Sequence, residues 1–258
     1  MKVKNLKIFY KENKRSSPLI IFIHGAACDH TLWCYQSRYF FNIGYSTLTL
    51  DLPGHGLNHS KPSLKISEMS SLINNLLKKV IQNNIILIGH SMGSLICLDV
   101  ASSNPEKLKK VILIGASYPM NVSKDLLNKS KKNQEEAIND MIQWSLPSNV
   151  KLSGSNLIGL DLANLVSVIM NSTPSGVLHK DLKACNNFSL KHENIKSIKA
   201  LITIIAGEKD IMTPIKGSKN LVELMPSITL NSIKEVGHFH TLENPIEVNK
   251  IIRKSLGK

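Results

Sequence analysis

The stretch Ile85-Ile86-Leu87-Ile88-Gly89-His90-Ser91-Met92-Gly93-Ser94 constrains this 258-residue chain more than any other. Its four consecutive apolar residues read as a strand covered on both faces. Residues 92–102, MGSLICLDVAS, read as an apolar helix that starts at once. A strand that becomes a helix within one residue needs a sharp, strained corner, and the corner side chain then projects from the tip of the sheet. Strand and helix come so close there that side chains two residues before and after the corner would collide. Glycine occupies both positions, 89 and 93, and the corner residue is Ser91. The helix N-terminus behind Ser91 offers free N–H groups and a positive dipole end to a developing anion. The segment therefore predicts an α/β protein with a nucleophile held at a strand tip.

The rest of the chain repeats that rhythm. Residues 3–10 alternate apolar and polar side chains, as a half-buried edge strand does. Residues 19–23, 111–114, 201–205 and 228–236 are further strand candidates, and residues 67–81, 215–225 and 245–256 are helix candidates. Pro245 suits the first turn of its helix, where a missing N–H costs nothing. Alternating strands and helices predict a doubly wound, mostly parallel sheet. The rhythm stops over 117–185, which holds helix-like stretches at 129–144 and 157–170, no clear strand, and loops such as SLPSNVKLSGSN. Ligands of open α/β sheets bind at the carboxyl ends of the strands. We therefore read 1–116 as the first part of the core, 117–185 as a helical lid over the strand ends, and 186–258 as the rest of the core.

A serine hydroxyl needs a base. Among nine histidines, His238 stands in Lys234-Glu-Val-Gly-His-Phe239, after a strand candidate and before the last helix. A loop there reaches a serine at another strand's end. His240 is its rival and motif context favours His238. His90 is next to Ser91 and should point elsewhere, His24 should shape its own loop, and His55 lies in a turn-rich stretch. A third group must hold the imidazole in the right tautomer. Asp210 closes Leu201-Ile-Thr-Ile-Ile-Ala-Gly-Glu-Lys-Asp210; Glu208 is the near alternative, and Asp51 and Asp99 are more remote. An oxyanion hole takes two backbone donors. The N–H of Met92 follows the nucleophile, and that of Ala26 lies in His24-Gly25-Ala26-Ala27, whose small residues admit a ligand.

Composition narrows the partners. The net charge is +13, but the cations are scattered lysines, with arginine only at 15, 38 and 253. Base and phosphate recognition favour arginine and interleaved aromatics, so no nucleic-acid role is expected. No apolar run approaches the ~20 residues of a membrane span, and no export signal is visible. Cysteines 28, 34, 97 and 185 form no C-x-x-C pair and are expected as reduced thiols in a cytoplasmic protein. No histidine pair has the helical spacing of metal ligands, so neither metal nor cofactor is expected.

The stretches FIHGAACDHTLW, LDLPGHG, LIGHSMGS, IIAGEKDIMTP and EVGHFHTLENP, in that order, resemble the α/β-hydrolase superfamily. The order Ser91, Asp210, His238 is the superfamily's order. The resemblance implies a mostly parallel eight-stranded sheet flanked by helices, with the lid inserted after the sixth strand. It implies that HGAA is the oxyanion loop and that Trp33 is the aromatic that follows it. Serine rather than aspartate at the elbow disfavours haloalkane dehalogenases and epoxide hydrolases. The sequence is similar to small carboxylesterases, enol-lactonases and carbon–carbon bond hydrolases. The expected activity is hydrolysis of small, mainly uncharged apolar esters through an acyl-enzyme. Cleavage of lactones or 1,3-diketones, and slow-turnover ligand sensing, are the alternatives. Trp33, Met120, Met141 and Trp144, with Ile211 and Phe239 beside the acid and the base, are the expected substrate contacts. The oligomeric state stays open.

Overall fold

Residues Leu19–Ile23 and Ile85–His90 are buried along their whole length, which a strand achieves only inside a sheet covered on both faces. In the computed structural model, which describes residues 3–148 and 160–257, the two lie side by side and parallel, Leu19 opposite Ile85 and Ile23 opposite Gly89. The sheet comprises β1 (Lys7–Lys11), β2 (Leu19–Ile23), β3 (Ser46–Asp51), β4 (Ile85–His90), β5 (Leu108–Ile114), β6 (Leu201–Gly207) and β7 (Thr229–Ile233). Its spatial order is β1-β3-β2-β4-β5-β6-β7. Only β1 is antiparallel to its neighbour.

The helices in the first half are α1 (Cys34–Asn42), which follows a 3-10 turn at His30–Trp33, α2 (Ile66–Lys79) and α3 (Met92–Ser102). Between β5 and β6 come α4 (Lys124–Lys132), α5 (Gln134–Ser145), α6 (Leu162–Asn171), α7 (Val177–Asn186) and α8 (His192–Lys196). The chain ends with α9 (Ile215–Leu224), α10 (His240–Glu243) and α11 (Pro245–Ser255). α3 packs on β4 and β5 with α2 beside it, and α1 and α11 form a second pair against β3 and β6. Asn244 caps α11 by accepting the Glu247 N–H at 3.1 Å, with Pro245 in the first turn as its ring requires. Among the described residues no helix is long and apolar enough to cross a membrane.

Two expectations are corrected. The described residues form seven strands rather than eight, so the inserted helices follow the fifth strand and not the sixth. At the N-terminus Asn5 adopts φ 63°, and residues 3–6 close into a turn with a lone Val3–Leu6 bridge, so the strand expected over 3–10 begins only at Lys7. The helix-like stretch 129–144 is two helices. Asn133 breaks it, ending α4 and capping α5 through its side chain, which accepts the Glu136 N–H at 3.3 Å; asparagine favours such caps over helix interiors. The loop 145–156 and the stretch 157–170 lie partly outside the described residues.

From β2 the chain steps to β3 on one side, then crosses back to β4 on the other. The carboxyl ends of β2 and β4 therefore diverge and leave a crevice. The loop after β2 and the corner after β4 both open into it.

Candidate active site

Ser91 stands at the corner between β4 and α3 with φ 52° and ψ −117°. That conformation costs on the order of 1–3 kcal/mol and persists only where the surroundings impose it. Here they do. The Ser91 N–H donates to the Ile114 carbonyl at 2.9 Å, and the Ser91 carbonyl accepts the Ser94 N–H at 2.8 Å and the Ser94 hydroxyl at 2.6 Å. Both flanking glycines are required. A Cβ on Gly89 would overlap the Gly93 carbonyl, and one on Gly93 would overlap the Ile23 carbonyl at the end of β2.

β6 and β7 end beside this corner. Just past β6, Asp210 accepts the Thr213 N–H on Oδ1 at 2.8 Å. Its Oδ2 accepts the Thr213 hydroxyl at 2.6 Å and the Nδ1–H of His238 at 2.9 Å. A carboxylate only accepts, so the neutral His238 ring carries its proton on Nδ1 and leaves a lone pair on Nε2. Burial works to raise the Asp210 carboxyl. The adjacent His238, then His240 and the Thr213 hydroxyl, outweigh it and hold Asp210 well below the usual carboxylate range. The rival carboxylates have other partners. Glu208 accepts the Ser232 hydroxyl at the surface, Asp51 accepts His30 and Leu57, and Asp99 bonds Ser70.

The backbone of His238 is gripped on both sides. Its carbonyl accepts the Nε2–H of His90 at 2.8 Å and the Nδ1–H of His240 at 2.6 Å. Its N–H donates to the Ser145 carbonyl, at the end of α5, at 2.7 Å. His240 is thereby placed: it is fully buried, and its Nε2 lies 3.8 Å from Asp210. Burial, with Asp210 opposing and His238 assisting, lowers its pKa to about 4.

On the β2 side, His24 accepts the Leu52 N–H on Nε2 at 3.1 Å, so its Nδ1 carries the proton and donates to the Gly25 carbonyl at 2.8 Å. Burial first, and then the neighbouring His55, lowers the His24 pKa to about 4, which keeps this ring neutral. In a trans peptide the N–H points opposite to the carbonyl. Holding the Gly25 carbonyl therefore aims the Ala26 N–H the other way.

Ala26, Ser91 and His238 line one cavity of about 180 Å³, with Met120, Met141, Trp144 and Ile211 in its wall. Met92 lends no side chain; it opens α3 with its N–H at the corner, where a helix has no internal acceptor for it. Trp33 and Phe239 are corrections, because neither reaches the cavity. Trp33 ends the 3-10 turn, which aims its ring into the core at 5.1 Å from Phe22. Phe239 packs at 5.8 Å from His90. The reading of the sequence missed Leu126, Met212, and Leu182 and Cys185 on α7. The period of buried positions at 177, 178, 181, 182 and 185 could have revealed the α7 pair. A larger cavity of about 610 Å³, lined by Leu64, Lys183 and Phe188 among others, contains neither Ser91 nor His238. Among the described residues, Asp29, His30 and Asp51 form a group with metal-ligand spacing. Asp51 already accepts the His30 N–H and Nδ1–H on one oxygen and the Leu57 N–H on the other.

Behind His238, the buried Glu243 accepts the Gly237 N–H at 2.7 Å. Burial raises its pKa from 4.5 to about 7. The folded chain thus keeps a proton that the unfolded chain has lost between those values. Stability falls as pH rises through that window and levels off above it, by on the order of 3 kcal/mol. Glu243→Gln keeps the acceptor and removes the charge. We expect the variant to melt about 5–10 °C above wild type at pH 8.5 and to gain little at pH 5. An equal difference at both pH values would refute this.

A family model described as the α/β-hydrolase fold matches residues 18–245. A Mycoplasma genitalium protein provisionally named esterase/lipase 2 is 25% identical over 245 residues, covering 90% of this chain and 86% of that protein. Protein ABHD8 of Bos taurus is 23% identical over 251 residues; the match takes in 92% of this chain but 56% of ABHD8, so the chain spans about half of that relative. The crystal structure of a lipase-esterase related protein from Clostridium acetobutylicum superimposes with a TM-score of 0.79 at 23% identity, covering 97% and 99% of the two chains. That likeness speaks for the fold. With the family match running from before β2 to the start of α11, over a sheet of the corresponding architecture, the chain belongs to the α/β-hydrolase fold family.

Proposed function

We propose that this protein is a serine esterase for small, uncharged, apolar carboxylic esters. One observation carries the reading: the buried Asp210–His238 pair, 2.9 Å apart, ends at the same small apolar cavity as the strained Ser91. Ser91 Oγ attacks the acyl carbon as His238 Nε2 takes its proton. The N–H groups of Ala26 and Met92 hold the oxyanion. His238 returns the proton to the leaving alcohol, then takes one from water as the water oxygen attacks the acyl carbon, and passes it to Ser91 Oγ as the Ser91–acyl bond breaks and the acid leaves. Helices α4–α7 act as the lid, since Leu126, Met141, Leu182 and Cys185 supply much of the cavity wall. Among the described residues that line the cavity none is lysine, arginine, aspartate or glutamate, which favours uncharged substrates.

The cavity size sets the acyl length. A cavity of about 180 Å³ is small beside the ~300–1,000 Å³ of pockets for drug-sized ligands, which favours a short or medium acyl chain. Each added methylene should contribute about 0.8 kcal/mol, or roughly fourfold in kcat/KM, until the room is filled. Across nitrophenyl esters from acetyl to decanoyl, kcat/KM should peak at butyryl or hexanoyl and then drop. A faster reaction with a matched lactone, a 1,3-diketone or a long-chain ester would replace this reading by the one that wins.

A further inference from the structure

The inserted helices reach the oxyanion loop itself. Asp181 is fully buried on α7, and its Oδ2 accepts the Ala27 N–H at 3.0 Å and the Nε2–H of His55 at 2.8 Å. His55 is equally buried, and its Nδ1 faces the Pro53 carbonyl at 3.1 Å. Burial works to lower the His55 pKa, and the charge and hydrogen bond of Asp181, with the Pro53 carbonyl, outweigh it and raise it above the ordinary imidazole value. An ion pair sealed from water is a demanding arrangement, and removing one partner strands a buried charge. Neither residue lines the cavity, so neither takes part in the hydrolysis as acid or base.

What the pair holds is the backbone. Ala27 adopts φ 49°, a left-handed conformation that a residue with a Cβ keeps only when it is held there. Asp181 fixes the Ala26–Ala27 peptide through its N–H, and His24 fixes the preceding peptide through its carbonyl. The donor proposed for the oxyanion, the Ala26 N–H, lies between these two clamps. The insert also holds the opposite loop, through the Ser145 carbonyl on the His238 N–H.

We propose that Asp181 is a positioning residue for the oxyanion hole: carried by the inserted α7, it aligns the Ala26 donor, so the hole is complete only while α7 is docked on the core. The proposal rests on the esterase reading above. The test uses the full chain as wild type, Asp181→Ala, Asp181→Asn and Ser91→Ala. It measures kcat and KM for nitrophenyl butyrate and the inhibition constant of a matched trifluoromethyl ketone, whose serine adduct places an oxyanion in the hole. Removing one donor outright costs about 10²–10³ in kcat, and misaligning one should cost less, about 10–100-fold in Asp181→Ala, with KM within about threefold. The ketone should weaken by the factor that kcat/KM loses, because both report the tetrahedral state. Asp181→Asn still presents an oxygen to the Ala27 N–H and should recover to within about fivefold of wild type, on the ordinary worth of a retained hydrogen bond.

A folded Asp181→Ala with wild-type kcat, a loss confined to KM, or an Asp181→Asn as impaired as Asp181→Ala overturns the positioning role and leaves Ser91 as nucleophile. A wild type that turns over no ester and is not labelled by a fluorophosphonate overturns the esterase reading, and the proposal with it. Should Asp181→Ala not fold, the wild-type Ala27 amide decides. Bonded to a buried carboxylate, it should resonate downfield in a ¹H–¹⁵N spectrum and resist exchange. An Ala27 amide that exchanges like an open loop overturns the proposal.

Discussion

Replacing Ser91 by alanine is expected to lower ester turnover by about 10⁶, the size of loss recorded when the serine of such a unit is removed. The substitution keeps the Cβ and the backbone bonds to Ile114 and Ser94, so the corner and the fold should survive it. Turnover of nitrophenyl butyrate and the mass shift on fluorophosphonate labelling are the two readouts, and both should vanish together. Ser123 also lines the cavity and is the natural competitor. Its hydroxyl, however, caps α4 by accepting the Leu126 N–H at 3.1 Å, and no histidine–carboxylate pair is bonded to it. Labelling of Ser91→Ala at the wild-type rate would transfer the role to such a residue.

His238→Ala should cost nearly as much as the loss of Ser91, because nucleophile and base act as one unit. His240→Ala should cost far less, about tenfold or under, although both rings approach the same Asp210 oxygen. The difference is direction. His238 faces the cavity, with Nδ1 on Asp210 and Nε2 free to take a proton. His240 points its Nδ1–H at the His238 carbonyl and is sealed from solvent. It steadies the loop and touches no substrate. kcat for the two variants, with melting temperatures to show that both fold, is the measurement. Equal large losses in two folded variants would sink the assignment of His238.

The parts of this molecule that could be read from its residues are those set by short-range sterics and periodicity. A buried apolar run, two glycines around a serine and an apolar helix define the corner at Ser91 without reference to anything distant. Residues 19–23 and 92–102 were legible to the residue for that reason. β3, whose threonines and leucines alternate although every residue is buried, was not, and neither were α1 and α7. Period alone does not tell a covered strand from a half-buried one. That Asp210 and His238 meet was legible because each follows, by a few residues, a strand that runs to the same edge of a parallel sheet.

Other features needed the tertiary structure. Trp33 sits in a stretch that suggests a substrate contact, yet a single 3-10 turn rotates its ring into the core. The strand expected from residue 3 starts only at Lys7, after a turn that holds a left-handed asparagine at position 5. The cavity wall comes from helices whose order along the chain says nothing about which face they turn inward. Asp181 meets Ala27 across 154 residues of sequence, and His90 meets the His238 carbonyl across 148. Local rules act over a few residues. Which polar group lies within 3 Å of which backbone N–H is settled only when the sheet, its two helix pairs and the inserted helices are packed together, because a buried donor must find whichever acceptor that packing brings to it.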